Sequence, residues 1–124
     1  MTYLDTHVVI WLYNSDWRQF SPLALRRIED DDLRISQVSI LELELLEEIG
    51  RLGTPVQEVV STLQHDYEMT ECEHSFQDIR IAAAWLRWTR DPFDRLLCGN
   101  ALAAGGDLLT RDESILKNFP NAVW

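Results

Sequence analysis

Short apolar stretches alternate with longer segments that carry helix-start signals, and this alternation constrains the fold more than any other property of the chain. Residues 2–4, 33–36 and 107–110 read as strands, and each is followed by a stretch patterned for a helix. Over 6–14 the apolar positions are Val8, Val9, Trp11 and Leu12. Ser21-Pro22 supplies an N-cap and a first-turn proline for a helix to about Ile28, which Asp30 to Asp32 then breaks. Further helices are predicted over 39–50, 55–65, 75–89, 91–105 and 112–118, with weaker strands over 67–71 and 122–124. A glycine at 50 or 53 closes the first of these helices, and Gly105-Gly106 the fourth. Strands separated by helical crossovers pair in parallel and bury both faces. The expected architecture is therefore α/β: a single three-layer α/β/α domain over 1–124 with a mostly parallel central sheet. At 124 residues, 46% of them hydrophobic, the chain buries enough surface to fold without a disulfide or zinc staple.

No apolar run approaches the roughly 18 residues that a membrane helix needs. Met1 to Asp5 contains no basic stretch, so no secretion signal is expected. Cys72 and Cys98 lack ligand-type spacing and read as reduced core thiols of a cytoplasmic protein.

The formal net charge is −10, which argues against nonspecific nucleic-acid binding. Its distribution is uneven. Residues 1–79 hold five bases against sixteen acids, whereas 80–124 hold six bases against five acids. Arg87, Arg90, Arg95 and Arg111 fall in that second part, where they can form a local basic rim.

Four carboxylates fall at element boundaries. Asp5 follows the first strand and Asp112 follows the strand 107–110, so both point to the carboxyl edge of the sheet. In open parallel sheets, sites form there, at the topological switch point. Asp94 lies in the first turn of the helix opened by Asp91-Pro92, and Glu42 in the first turn of the helix after the strand 33–36. Each has a structural reading too. Asp91-Pro92-Phe93-Asp94 is an N-cap with a following proline and acid, Ser39-Ile40-Leu41-Glu42 is a capping-box pattern, and Asp112 can cap its helix.

Glu42 differs from the other acids of its helix. Leu46 and Ile49 fall within about 40° of it, while Glu44, Glu47 and Glu48 fall at least about 120° away. It therefore shares the face expected to point inward, where a bare carboxylate is costly. Carboxylates that converge without a lysine or arginine among them need a cation. Oxygen-only ligation suits Mg²⁺ or Mn²⁺ rather than Zn²⁺, and such a site carries out phosphoryl chemistry. Arg95 or Arg111 at the rim can hold a substrate phosphate.

These residues also carry a family likeness. Tyr3-Leu4-Asp5-Thr6-His7 with Trp11, Ile35-Ser36 followed by Leu41-Glu42-Leu43 and Ile49-Gly50-Arg51, Trp88 to Arg95, and Leu109-Thr110-Arg111-Asp112 occur in order over essentially the whole chain. In these blocks the chain resembles a PIN-domain endoribonuclease of the VapC toxin type. The resemblance implies a metal-dependent ribonuclease in which Asp5, Glu42, Asp94 and Asp112 hold the metal. Thr110 would be the supporting hydroxyl, and Asp91 either joins the site or only caps its helix. It further implies in-line attack of a metal-activated water on an RNA phosphodiester, a small cognate antitoxin as partner, and a homodimer. Gly99-Asn100 depart from the family's usual pattern.

Two other readings define the contrast: a PIN-like binding module without turnover, and an acidic receiver-type signalling domain. The second needs an acidic pair after the first strand and a late strand-end lysine. Here Asp5 stands alone, and Lys117 lies within a predicted helical turn. His7 reads as a surface or core residue, and Trp85 and Trp88 as inward-packing.

Overall fold

The computed structural model describes residues 1–124. Five strands, β1 (Thr2–Leu4), β2 (Leu33–Ile35), β3 (Thr70–Glu71), β4 (Asp107–Leu109) and β5 (Ala122–Val123), form one sheet in the order β3-β2-β1-β4-β5. Every pairing is parallel, so the sheet is wholly rather than mostly parallel. The chain winds from β1 outward to β3, then crosses back to β4 on the other side of β1. The switch point therefore lies between β1 and β4, where Thr2, Tyr3 and Leu4 pair with Asp107, Leu108 and Leu109.

Seven helices connect the strands: α1 (Thr6–Tyr13), α2 (Pro22–Asp30), α3 (Gln37–Glu48), α4 (Val56–Tyr67), α5 (Phe76–Ala83), α6 (Pro92–Ala104) and α7 (Glu113–Asn118). A short 3₁₀ turn at Trp17–Gln19 has no counterpart in the sequence reading. The period-two alternation of the strands sorts side chains onto two faces. Leu4, Leu33, Ile35 and Leu109 point into a core with Val8, Val9 and Leu12 of α1, Ala24 and Ile28 of α2, Leu43 of α3 and Val59, Val60 and Leu63 of α4. Tyr3 and Leu108 point the other way, into a core with Leu97, Cys98 and Ala101 of α6 and Ile115 of α7. These are the three layers expected, with the sheet between two helical layers.

Capping chemistry fixes most helix ends. Asp5, Ser21, Ser36, Ser75, Asp91 and Asp112 each sit at an N-cap, and each side chain accepts a backbone N–H from the first turn. Helix α6 ends at Gly105, whose φ of 69° is the left-handed conformation glycine adopts without penalty. α4 runs through Tyr67 and stops at Glu68, also left-handed at φ 55°, which shortens the strand expected over 67–71.

Two expectations are corrected. α3 begins at Gln37 under a Ser36 cap, two residues earlier than the Ser39 start. The capping box therefore does not form. Ser39 is instead buried, donating its hydroxyl to the carbonyl of Leu4 at 3.4 Å. The core face of α3 is the one bearing Ser39 and Leu43, whereas Leu45 and Ile49 are exposed. The helix expected over 75–89 ends at Ala83, and Trp85, read as inward-packing, is 77% exposed. Trp88 does pack against the second core.

The last turn of α5 crosses close to α6. A Cβ on Gly99 would lie 2.8 Å from the Ala83 Cβ and 2.9 Å from the Ile79 carbonyl oxygen. Glycine there lets the two helices approach. Beside it, buried Asn100 accepts the Ser36 hydroxyl at 2.6 Å and donates to the Cys72 sulfur at 3.2 Å. This ties the start of α3 to the middle of α6. Cys72 and Cys98 are both free and buried, and no helix is long and apolar enough to cross a membrane.

Candidate active site

Asp5, Glu42, Asp94 and Asp112 meet at the carboxyl edge of the sheet, around a cavity of about 250 Å³ that they line with Thr6, His7, Ile10 and Leu46. Four separate elements bring them there. Asp5 leaves β1 at the switch point and Asp112 follows β4. α6 begins two residues before Asp94, and Glu42 sits mid-way along α3. No lysine or arginine lines the cavity.

The opposite edge of the sheet makes the contrast plain. There Arg27 pairs with both Asp31 and Asp107, at 3.1 and 2.9 Å, and Arg34 pairs with Asp32 at 2.8 Å. At the amino edge, acids are matched by cations. At the carboxyl edge they are left to face one another.

Asp5 is the most firmly held of the four, and it is buried. Its Oδ1 accepts the Thr6 N–H at 2.7 Å, and its Oδ2 accepts the Thr110 hydroxyl at 2.6 Å. The Thr110 oxygen in turn accepts the Asp112 N–H at 3.1 Å, so one buried hydroxyl connects two of the carboxylate-bearing segments. Asp112 uses Oδ1 to accept the Ile115 N–H at 2.9 Å. Glu42 accepts the Thr6 hydroxyl at 3.0 Å. Thr6 thus serves two acids at once, through its amide and its hydroxyl, and the sequence reading assigned it no role. Its visible signal is its place directly after the strand-end aspartate.

The electrostatics follow from this crowding. Burial, opposed by the Thr6 hydrogen bond and assisted by the charges of Asp5, Asp94 and Asp91, pushes Glu42 up to about 7. Burial, then the charges of Asp91, Asp112 and Asp5, pushes Asp94 up to about 6. Both carboxylates hold protons more tightly than in water because no cation offsets their neighbours. The donor set therefore fits a divalent cation: it is all oxygen, mutually repelling and partly desolvated. As the side chains stand, no three acidic, histidine or cysteine groups form a ready-made ion-binding cluster.

The remaining candidates are placed as follows. Thr110 lies behind Asp5, as described. Asp91 is exposed and accepts the Asp94 N–H at 3.1 Å; it caps α6 and does not line the cavity. Arg111 stands at the rim. Its guanidinium donates to Gln19 Oε1 at 2.6 Å and lies 5.9 Å above the Trp11 ring. Its backbone N–H donates to His7 Nε2 at 3.3 Å. The His7 Nδ1 faces Asp5 Oδ2 at 3.6 Å. Together His7, Trp11, Arg111 and Asp112 line a second hollow beside the acidic one. Arg95 is directed elsewhere. Its guanidinium donates to the carbonyls of Ala83 and Ala84 at 3.0 and 3.2 Å, and it lines a different groove.

A cleft of four carboxylates at the switch point of a parallel three-layer domain defines a class of protein: one that gathers acidic side chains at the carboxyl edge of its sheet. Within that class a family model for the PIN domain matches residues 2–120, and the chain belongs to the PIN-domain family. It is 29% identical to ribonuclease VapC22 of Mycobacterium tuberculosis, over 98% of this chain and 96% of that protein. In fold it is similar to two solved structures. One is VapBC2 from Rickettsia felis bound to a DNA fragment from their promoter, with a TM-score of 0.67 and 16% identity over 99% of this chain and 96% of that one. The other is a toxin–antitoxin complex from Klebsiella pneumoniae, with a TM-score of 0.69 and 19% identity over 100% and 97%. The likeness to these two structures is one of fold.

Proposed function

We propose that residues 1–124 act as one nuclease domain, an endoribonuclease toxin that hydrolyses RNA phosphodiester bonds with Mg²⁺ or Mn²⁺. The observation that carries this reading is the convergence of Asp5, Glu42, Asp94 and Asp112 on one cavity that no lysine or arginine lines. These four carboxylates would hold the divalent cation, which would supply an activated water and offset charge on the phosphate. The protein's own residues do the rest. Thr110 and the Thr6 amide fix the Asp5 carboxylate, Thr6 steadies Glu42, and the Asp91 cap sets the first turn of α6 that carries Asp94. Arg111, held against Gln19 and Trp11, is placed to receive a phosphate oxygen at the rim. No side-chain nucleophile is needed.

A cognate small antitoxin is the proposed regulator, acting in the cytoplasm where the RNA lies, and the chain is proposed to pair with a second copy. Leu41 and Leu45 on α3 and Ile49 at its C-cap form an exposed apolar row at every fourth residue, which supports a protein partner on that side.

The test is cleavage of a structured RNA pool with added Mg²⁺ or Mn²⁺, an EDTA control, and Asp94→Asn purified in parallel. Metal-dependent cuts that leave 5′-phosphates, absent from the variant, are expected. Equal cutting by the variant would remove Asp94 from the site. No cutting by a folded, metal-binding protein would favour a binding module.

A further inference from the structure

The chain carries a second surface whose charge runs against its composition. Six of its basic residues lie beyond residue 79: Arg80, Arg87, Arg90, Arg95, Arg111 and Lys117. None of them forms an ion pair, whereas Arg18, Arg27 and Arg34 in the earlier part all do. Three of the six, Arg80, Arg90 and Arg95, line one groove of about 430 Å³ between the end of α5 and the start of α6. The other lining residues are Ala83, Ala84, Pro92 and Leu96, so no acid lines it.

The groove is built rather than incidental. Arg95 is anchored across it by its bonds to the Ala83 and Ala84 carbonyls, which satisfies the exposed end of α5 and fixes the wall. Arg80 and Arg90 are exposed and have no side-chain partner. Trp85, directly after Ala84, is 77% exposed, a large indole that folding leaves in water. The groove and the acidic cleft share no lining residue, but both are reached from the first turn of α6. Asp94 lines the cleft and Arg95 lines the groove, from consecutive positions in the first turn of α6.

We propose that this groove holds the single-stranded RNA flanking the scissile bond, with Arg80 and Arg90 on backbone phosphates and Trp85 stacked on a base. The proposal rests on the nuclease reading and extends it to a substrate-binding surface. A polyanion entering a cleft of four carboxylates on a protein of net charge −10 is repelled nearly everywhere else. Apart from Arg111 at the rim, the arginine groove is where it finds uncompensated positive charge near the cleft. Guanidinium groups match phosphate geometry, and an exposed indole stacks on any base face. This combination suits a single strand, whose bases are open to stacking.

The test is an anisotropy titration of a labelled single-stranded RNA, in EDTA so that it stays intact, across a range of salt concentrations. The wild-type protein is compared with the double variant Arg80→Glu/Arg90→Glu and with Trp85→Ala. The double variant is expected to bind at least about tenfold more weakly, with a log–log salt slope shallower by about 1.4, because two phosphate contacts are lost. Trp85→Ala is expected to weaken binding about tenfold with the slope unchanged. Unchanged affinity and slope in the double variant would overturn the proposal. So would a double variant that binds RNA normally but loses a self-association seen by light scattering, since the groove would then serve a protein partner. A loss of RNA affinity accompanied by a lowered melting temperature would also overturn it, because these exposed, unpaired arginines should be dispensable for folding. Cleavage by the wild-type protein, run beside Asp94→Asn, separates the two readings. Cutting with groove-independent binding leaves the nuclease and removes the groove, whereas groove-dependent binding without cutting does the reverse.

Discussion

Thr110 donates its hydroxyl to Oδ2 of Asp5 at 2.6 Å, although the two residues lie 105 positions apart. The bond joins the ends of β1 and β4, the two strands that flank the switch point. The same oxygen accepts the amide of Asp112, so Thr110 orients one carboxylate directly and another through the backbone.

Thr110→Val keeps the shape of the side chain and removes both roles. A hydrogen bond to a buried charged group is worth about 1.5–3 kcal/mol, so the variant should melt several degrees lower. Loss of such an outer contact weakens metal binding roughly 10–100-fold. Calorimetric titration with Mn²⁺ checks this. Wild-type affinity in Thr110→Val would mean that the Thr6 amide alone suffices to hold Asp5.

Glu42→Gln should stabilise the metal-free protein. Burial and three neighbouring acids oppose its charge, and only the Thr6 hydroxyl offsets them. The side chain is half-buried, so solvent screens much of the repulsion. A gain of about 1 kcal/mol remains, or roughly 4 °C in melting temperature for a domain of this size. The gain should appear at pH 8 without metal and shrink by pH 5, where the wild-type glutamate is already protonated. A lower melting temperature at pH 8 would show that the charged form is satisfied in the fold.

The pH dependence of the metal-free protein has a definite sign. Glu42 rises from 4.5 to about 7 on folding and Asp94 from 3.8 to about 6. In the window between, the folded state binds more protons than the unfolded one, so stability falls as pH rises. The favourable contribution is complete below about pH 4 and lost above about pH 7. A cation must displace the same protons. Metal binding near pH 6 should therefore release protons and should tighten as pH rises to 8. Calorimetry in buffers of different ionisation heat measures that release, and none at pH 6 would show that both groups are already ionised.

Gly99→Ala should destabilise despite the better helix propensity of alanine. The added methyl meets the α5 backbone as well as Ala83, and backbone cannot swing aside. Overpacking costs about 1–3 kcal/mol against a propensity gain of about 1 kcal/mol, so denaturant melts should show a net loss. A stabilised variant would mean that α5 can shift outward.

The sequence made the layered fold legible because its strands and caps are local signals. Asp5, Ser21, Asp91 and Asp112 all sit where their spacing puts them. The convergence of four acids on one sheet edge was legible for the same reason, since parallel topology carries every strand end to one side. The α3 register was not. Ser36 and Ser39 are both competent caps, and only the burial of Ser39 beneath the Leu4 carbonyl decides between them. That choice also removes the capping-box explanation of Glu42, whose position now depends on the tertiary hydrogen bond from Thr6. The anchoring of Arg95 was not legible, because its spacing from Asp94 does not show that the α5 carbonyls lie within reach. Asn100 was seen only as a departure from a pattern, since its partners Ser36 and Cys72 are remote in sequence.

Asp91 and Asp94 provide the sharpest separation of cap from site. Asp91 is exposed, accepts the Asp94 amide and lies outside the cavity. Asp91→Ala should cost about 1 kcal/mol as a lost cap, with Mn²⁺ affinity close to wild type. Asp94→Asn should do the opposite. Removing a crowded, partly buried charge should leave the metal-free melting temperature unchanged or higher, while Mn²⁺ affinity and RNA cleavage collapse. Measuring both quantities on both variants makes a crossed comparison that a general loss of fold cannot imitate. If Asp91→Ala loses Mn²⁺ as severely as Asp94→Asn, the cap itself belongs to the metal site and the first turn of α6 supplies two carboxylates.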